Sequence, residues 1–255
     1  MNTAGRSGSG RGILKAVTAA AVALGAAGAL ALAWPGGPAS AEADTPGARR
    51  PATTRPVDPS IVHASDRAGR SLNITIDDGP DPVWTPKVLD VLERHHVKAV
   101  FCMIGPQAAA HPDLVRRVVA AGHRLCDHTV GHNTGMDHRP ERYQEDQILP
   151  AQRMIERAGG APVLYYRAPG GAFTPYSRAL AARHGMRPLG WNIDSKDFEG
   201  GSVAAIEATV RGELTNGPTV LFHDGGGDRA RTVEALDRLL PSLRQQGYGF
   251  GFPRH

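Results

Sequence analysis

From Ser71 to the C-terminus, short apolar runs alternate with amphipathic segments, and this alternation leaves the chain few architectures. The apolar runs are SLNITI, VKAVFCMI, HRLCDH, VLYYRA, MRPLGWNI, PTVLFH and YGFGF, all of strand length and bounded by turn residues. Between them lie helical segments. TPKVLDVLERHH has Thr85 as cap and Pro86 at its first position, and HPDLVRRVVAAG has Pro112 early and Gly122 at its end. A long helix follows over about 140–158, which Pro150 should bend or break. YSRALAARHG, SVAAIEATVRGEL and RTVEALDRLLPSLRQQG complete the set. Seven strands alternating with six helices predict one α/β domain on a parallel sheet. An open doubly wound sheet and a closed barrel both satisfy the count. The sequence has no internal repeat and no GxGxxG fingerprint of a dinucleotide site.

The segment before Ser71 reads differently. Arg6, Arg11 and Lys15 precede the apolar run AVTAAAVALGAAGALALAW, and PASA ends at Ala41. A basic head, an apolar middle and a small-residue exit describe a secretory signal over 1–41. The alternative is a retained N-terminal anchor, because the run approaches the length of a membrane span. In either case residues 71–255 belong outside the cytoplasmic membrane, secreted or associated with the cell wall. Residues 42–70 are rich in Pro, Ala and Arg and read as a flexible spacer. The net charge is +4. Residues 1–41 hold three basic and no acidic residues, so the remainder carries +1, which is no footprint for nucleic acid. Cys102 and Cys126 fall on the second and third strands, where an oxidising compartment favours a cross-strand disulfide. The sequon NIT at 73–75 lies inside the first strand and is set aside.

The chemistry-bearing residues gather at one end of the predicted strands. Asp77 and Asp78 follow strand one, His128 and His132 follow strand three, and Arg167 follows strand four. Asp194 and Asp197 follow strand five, and His223 and Asp224 follow strand six. Carboxyl ends of parallel strands are where α/β folds build active sites. His128 and His132, four residues apart, can present two imidazoles to one ion if that loop is helical, and Asp78 would complete a two-His, one-carboxylate set with open positions. The same set serves non-haem iron oxygenases, which commonly use all-β scaffolds. Asp77 suits a base acting on a water at such a site and His223 an acid, the pairing that hydrolysis of an amide or ester requires. His95, His96, His111, His123 and His184 lie in or beside helices and read as surface or capping residues.

In order, Asp-Asp-Gly-Pro, His-Thr-x-x-His, Arg-x-Pro-x-Gly, Asp-Ser-x-Asp and Leu-x-His-Asp resemble the five motifs of the polysaccharide deacetylases, the nodulation-protein-B homology domain of carbohydrate esterase family four. The resemblance covers about 71–252. It implies a distorted (β/α) barrel of about seven parallel strands, with a catalytic domain over 71–255. It also implies a secreted metal-dependent enzyme that removes acetyl groups from N-acetylglucosamine polymers such as peptidoglycan or chitooligosaccharides. The alternatives are acetyl xylan or a catalytically silent glycan-binding module. By motif, Asp77 is the implied base, with Asp78, His128 and His132 the ligands of a divalent metal, Zn²⁺ first and Co²⁺ or Ni²⁺ as alternatives. Arg167 would orient Asp77, and Asp197 would orient His223, the implied acid. Leu221 and Trp191 would line the substrate side, and the N–H of Gly170 would join the oxyanion site. Two departures stand out: Phe198 replaces a typical Trp, and Gly170 stands where many relatives carry Tyr. The expected partner is an acetylated polysaccharide. A protein partner is not implied, and a monomer is expected.

Overall fold

The computed structural model describes residues 55–255, so the expected signal segment and the start of the expected spacer lie outside the described residues. The strands are β1 (Ser71–Asp77), β2 (Ala99–Met103), β3 (Arg124–Asp127), β4 (Val163–Tyr166), β5 (Arg187–Pro188), β6 (Ile193–Asp194), β7 (Thr219–His223) and β8 (Gly249–Gly251). The helices are α1 (Trp84–Arg94), α2 (Gly105–Ala110), α3 (Pro112–Ala120), α4 (Glu141–Gly159), α5 (Pro175–Arg183), α6 (Val203–Gly212) and α7 (Ala230–Gln245). All strand pairs are parallel, in the order β5-β4-β3-β2-β1-β7-β6, and β8 lies along the first residues of β1. The sheet curls into a distorted (β/α) barrel, as the resemblance implies.

The fifth expected strand is split. Its first half bonds β4, through Leu189 N–H to the Tyr166 carbonyl, and its second half bonds β7, through Asn192 N–H to the Thr219 carbonyl. Consecutive short strands therefore occupy opposite edges of the sheet, and the residues between them bridge the seam without a ladder. The long helix is the second difference. It runs unbroken through Pro150, with Ile148, Ala151, Gln152 and Ile155 buried against its neighbours. A proline inside a helix costs about 3 kcal/mol, while each fully buried aliphatic side chain returns roughly 1.5–3 kcal/mol. Helix α2 was not foreseen, because six residues are too few to show a period. The start of α1 also differs. Asp81 Oδ1, not Thr85, accepts from the backbone N–H groups of Val83 and Trp84.

Alternation along β1 separates two interiors. Leu72, Ile74 and Ile76 face the helices with Val88, Leu92 and Leu236, while Val100, Cys102, Cys126, Tyr165, Leu189 and Val62 fill the barrel. Cys102 and Cys126 pair across β2 and β3 and form a disulfide. Asn73 and Thr75 point inward beneath Asp77. The Asn73 amide donates to Thr219 Oγ1 at 2.9 Å, and the Thr75 hydroxyl donates to the Val220 carbonyl at 2.7 Å. Asn73 is fully buried, consistent with setting the sequon aside. Residues 57–66, which composition groups with the spacer, are bonded to this body: Val62 N–H donates to the Pro188 carbonyl, and Asp66 N–H to that of Phe252. His123 is buried rather than at the surface, and its Nδ1 accepts from Ala99 N–H at 3.0 Å. Burial lowers its pKa to about 4.

Candidate active site

β1 ends at Asp77, and the chain turns at once through Asp78, whose φ of 76° is a left-handed conformation rare for a side-chain-bearing residue. The following Gly79–Pro80 peptide is cis. Gly79 is required by packing, because a Cβ there would overlap the Asp224 carboxyl. The turn aims the two carboxylates differently. Asp77, 2% exposed, accepts from Arg167 Nη1 at 2.7 Å through Oδ1, while its Oδ2 lies 3.6 Å from His128 Nε2. Asp78 Oδ1 lies 3.0 Å from His132 Nε2 and 3.5 Å from His128 Nε2.

Arg167 is fully buried, and each part of its guanidinium is bonded. Nη1 also donates to Thr75 Oγ1 at 2.8 Å, Nε to the Leu189 carbonyl and Nη2 to that of Gly190. The inward column of β1 and the seam segment thus form one cradle that presents a cation to Asp77 alone among the carboxylates.

His128 and His132 do converge, but not on a helix. Thr129 and His132 both have positive φ, 71° and 46°, and Thr129 Oγ1 accepts from His132 N–H. Asp127, wholly buried, holds this turn by accepting from Thr129 N–H at 2.7 Å. Burial raises its pKa well above the ordinary carboxylate value. His128 Nδ1 is 2.8 Å from the Arg167 carbonyl, which can only accept, so Nδ1 carries the proton and Nε2 is free for a ligand.

One donor atom each from Asp78, His128 and His132 lie within 4.8 Å of one another. Asp78 Oδ1 is buried, and its 3.0 Å approach to His132 Nε2 lacks the geometry of a hydrogen bond, leaving an orphan that a cation would satisfy. Two neutral imidazole nitrogens and one carboxylate suit Zn²⁺ or a related divalent ion. Burial works to raise the Asp78 pKa, but the His132 contact and the neighbouring imidazoles outweigh it and hold it to about 2. Burial lowers the pKa of His128, and the contact with Asp78 raises that of His132. The cluster therefore offers a negative carboxylate to an ion at neutral pH.

Across the mouth, His223 ends β7. Its Nδ1 lies 2.7 Å from Asp197 Oδ1, and its backbone N–H donates to Asp197 Oδ2 at 2.9 Å. Asp197 accepts two more bonds, from Ser195 Oγ at 3.0 Å and from Thr232 Oγ1 at 2.9 Å. Burial works to lower the His223 pKa, but the bond to Asp197 outweighs it, and the value is raised above 6.5. Burial likewise works to raise the Asp197 pKa, and the His223 bond lowers it.

Asp77, Asp78, His128, His132, Gly170, Trp191, Phe198, Leu221 and His223 line one cavity of about 480 Å³, together with Thr134, Asp194 and Lys196. Every residue expected at the site lies in this cavity or directly behind it, apart from the disulfide cysteines deeper in the barrel. Phe198 is 46% exposed and meets His223 edge-on, with ring centroids 5.1 Å apart. Gly170 has φ 60°, and a Cβ there would stand 3.1 Å from Thr134. Asp127, Ser195, Thr232 and Thr134 have no role in the sequence reading, because Asp127 ends a strand and the others are ordinary polar residues in a loop or helix. Asp224 was noticed without a role. It is fully buried, accepts from the Thr85 hydroxyl at 2.6 Å, and burial lifts its pKa to about 7.

Residues 64–189 match the family model described as polysaccharide deacetylase. A peptidoglycan-N-acetylglucosamine deacetylase from Bacillus cereus is 37% identical over 179 residues, 69% of this chain and 83% of that protein. A chitooligosaccharide deacetylase from Sinorhizobium fredii is 36% identical over 198 residues, 73% of this chain and 92% of that protein. Among solved structures, a peptidoglycan N-acetylglucosamine deacetylase in complex with a substituted N-oxidanyl-benzamide superposes with a TM-score of 0.70 at 29% identity, covering 75% of this chain and 89% of its own.

Proposed function

The chain belongs to the polysaccharide deacetylase family and to its class of carbohydrate deacetylases, and from that premise we propose that it hydrolyses the acetamide of N-acetylglucosamine residues in peptidoglycan or chitooligosaccharides, outside the cytoplasmic membrane. One observation carries this reading: the Asp78–His128–His132 donor cluster shares a cavity with a carboxylate held by a buried Arg and an imidazole held by a buried Asp. Asp78, His128 and His132 would hold a divalent cation, Zn²⁺ by choice of donors, which would supply Lewis-acid polarisation of the acetyl carbonyl and acidify a water.

The chain's own residues do the proton work. Asp77 accepts the water's proton at Oδ2, because Oδ1 is occupied by Arg167. His223, with Nδ1 held by Asp197, donates from Nε2 to the departing amine. The amide and water give acetate and the protonated amine, the two protons of the water ending on the amine nitrogen. Leu221, Trp191 and Phe198 wall the acetyl and sugar side, and the Gly170 N–H adds a donor to the developing oxyanion. Residues 1–41 serve as the export signal.

The test is acetate release from chitooligosaccharides, peptidoglycan and acetylated xylan by purified protein, stripped with chelator and resupplied with single metals. Metal-restored release from the N-acetylglucosamine substrates, lost in Asp77→Asn, is expected. Release from xylan alone would move the substrate class, and no release with any metal would overturn the proposal.

A further inference from the structure

The amino-terminal end of the barrel, opposite the cavity just described, carries two further cavities of about 390 and 420 Å³. Arg67 lines both. Arg70 and Tyr248 line the first, and Lys98, Phe250 and Phe252 line the second. Tyr248, Phe250 and Phe252 alternate along and beside β8; Tyr248 and Phe250 pack against the helix-facing core and Phe252 against the cluster that fills the barrel. A guanidinium stacks on each: Arg70 at 4.3 Å from the Tyr248 ring centre, Arg244 at 5.7 Å from that of Phe250 and Arg124 at 3.9 Å from that of Phe252.

The charge at this end is lopsided. Described residues 55–255 contain 24 basic and 23 acidic residues, a net of +1. Five of the cations, Arg67, Arg70, Lys98, Arg124 and Arg244, gather here, and Asp66 is the sole carboxylate lining either cavity. Arg67, Arg70, Lys98 and Arg244 form no ion pair among the described residues; Arg67 Nη1 donates to the Phe250 carbonyl at 2.8 Å and Lys98 Nζ to that of Ala121 at 2.6 Å, contacts that leave both charges unneutralised. Asp66 is already engaged, by Phe252 N–H at 2.9 Å and by Arg124 at 3.8 Å. Stacking on a ring holds the Arg70 and Arg244 guanidiniums extended and leaves their edges for bidentate contacts with phosphate oxygens, while Arg124 is engaged by the Tyr165 hydroxyl and Asp66.

We propose that this end of the barrel binds a linear polymer bearing repeated phosphodiesters, and that the enzyme is thereby held to an anionic matrix with its catalytic mouth facing away. Two cavities divided by one arginine fit successive charged units better than one isolated ion. A lipid surface fits less well, because the rings here are covered by cations, and the exposed large apolar residues among those described are Val83 and Phe198, both beyond the carboxyl ends of the strands. β1 separates the two ends by about 20 Å at 3.3 Å per residue, so both can be occupied together.

The test is retention of the full chain on immobilised poly(glycerol phosphate), with inorganic polyphosphate as soluble competitor and anionic phospholipid vesicles as a separate arm. Binding should weaken steeply with salt. The triple variant Arg67→Ala, Arg70→Ala, Lys98→Ala should bind at least tenfold more weakly, with a slope of log K on log salt lowered by about 2, at roughly 0.7 per lost contact on a single-stranded polyanion. Lysine replacements of both arginines should retain most binding. Acetate release from short neutral chitooligosaccharides should stay within twofold in the triple variant. Asp77→Asn should bind the polymer as well as wild type, so loss of catalysis and loss of retention separate. No retention by wild type at low salt, unchanged retention by the triple variant, or preference for vesicles over the polymer would overturn the proposal.

Discussion

Replacing Arg167 by Met tests the cradle beneath Asp77. The guanidinium is wholly buried and bonded to Asp77, Thr75 and the carbonyls of Leu189 and Gly190. Met fills much of the space of the stem but leaves Asp77 a buried charge without its partner. Removing one member of a buried pair costs about 3–5 kcal/mol, against a typical total stability of about 5–15 kcal/mol. For a domain of this size 1 kcal/mol moves Tm by about 2–4 °C, so Tm should fall by about 6–20 °C. Calorimetry on chelator-treated protein keeps metal linkage out of the comparison. The decisive arm is the double variant Arg167→Met, Asp77→Asn. If the damage is an uncompensated charge, removing the charge restores about 0.5–3 kcal/mol of coupling. Strictly additive losses would refute the reasoning and leave Arg167 as mere packing.

Other outcomes are expected from the same geometry. In Asp197→Asn the alkaline limb of the pH–rate profile should move to lower pH, because His223 loses the partner that raises its pKa and must be protonated to act; an unmoved limb would remove His223 as the acid. By the same linkage, the His223–Asp197 pair stabilises the fold fully between about pH 3.8 and 6.5, and its contribution is lost as pH rises through the raised His223 value or falls through the lowered Asp197 value, which a Tm series against the variant would register. Thr85→Val should weaken divalent-metal binding by about tenfold with little change in KM, because the Asp224–Thr85 bond braces the turn that carries Asp78; metal titration by calorimetry reads it directly. Gly170→Ala should cost about 1–2 kcal/mol for its left-handed backbone, and the close approach of Thr134 should show as a raised KM for polymer.

The site was legible because its chemistry is local to strand ends. A run such as TIDDGP announces a strand, then two carboxylates, then a forced turn, and the βα alternation alone puts all such runs on one rim. What depends on closure was hidden. MRPLGWNI reads as one strand because nothing in its eight residues says that its two halves bond to different neighbours. The convergence of His128 and His132 was expected from helical spacing, yet it rests on positive φ at Thr129 and His132, which no side-chain pattern reports. Pro150 carries a strong local signal that tertiary packing overrides. Thr232 reaches Asp197 across 35 residues from an unremarkable helix position.

The sheet order also sets a clock. β1, the first strand, takes its neighbours from β2, from β7 at Thr219–His223 and from β8 at Gly249–Gly251. Two of these three partners lie about 145–180 residues downstream, so the central strand stays half-paired until nearly the whole chain is present, and loop closure over that separation must precede the reward of pairing. The last few residues thus decide when the barrel can form: a chain still incomplete, or one clipped after β7, has every residue of the proposed site and no finished fold to hold them.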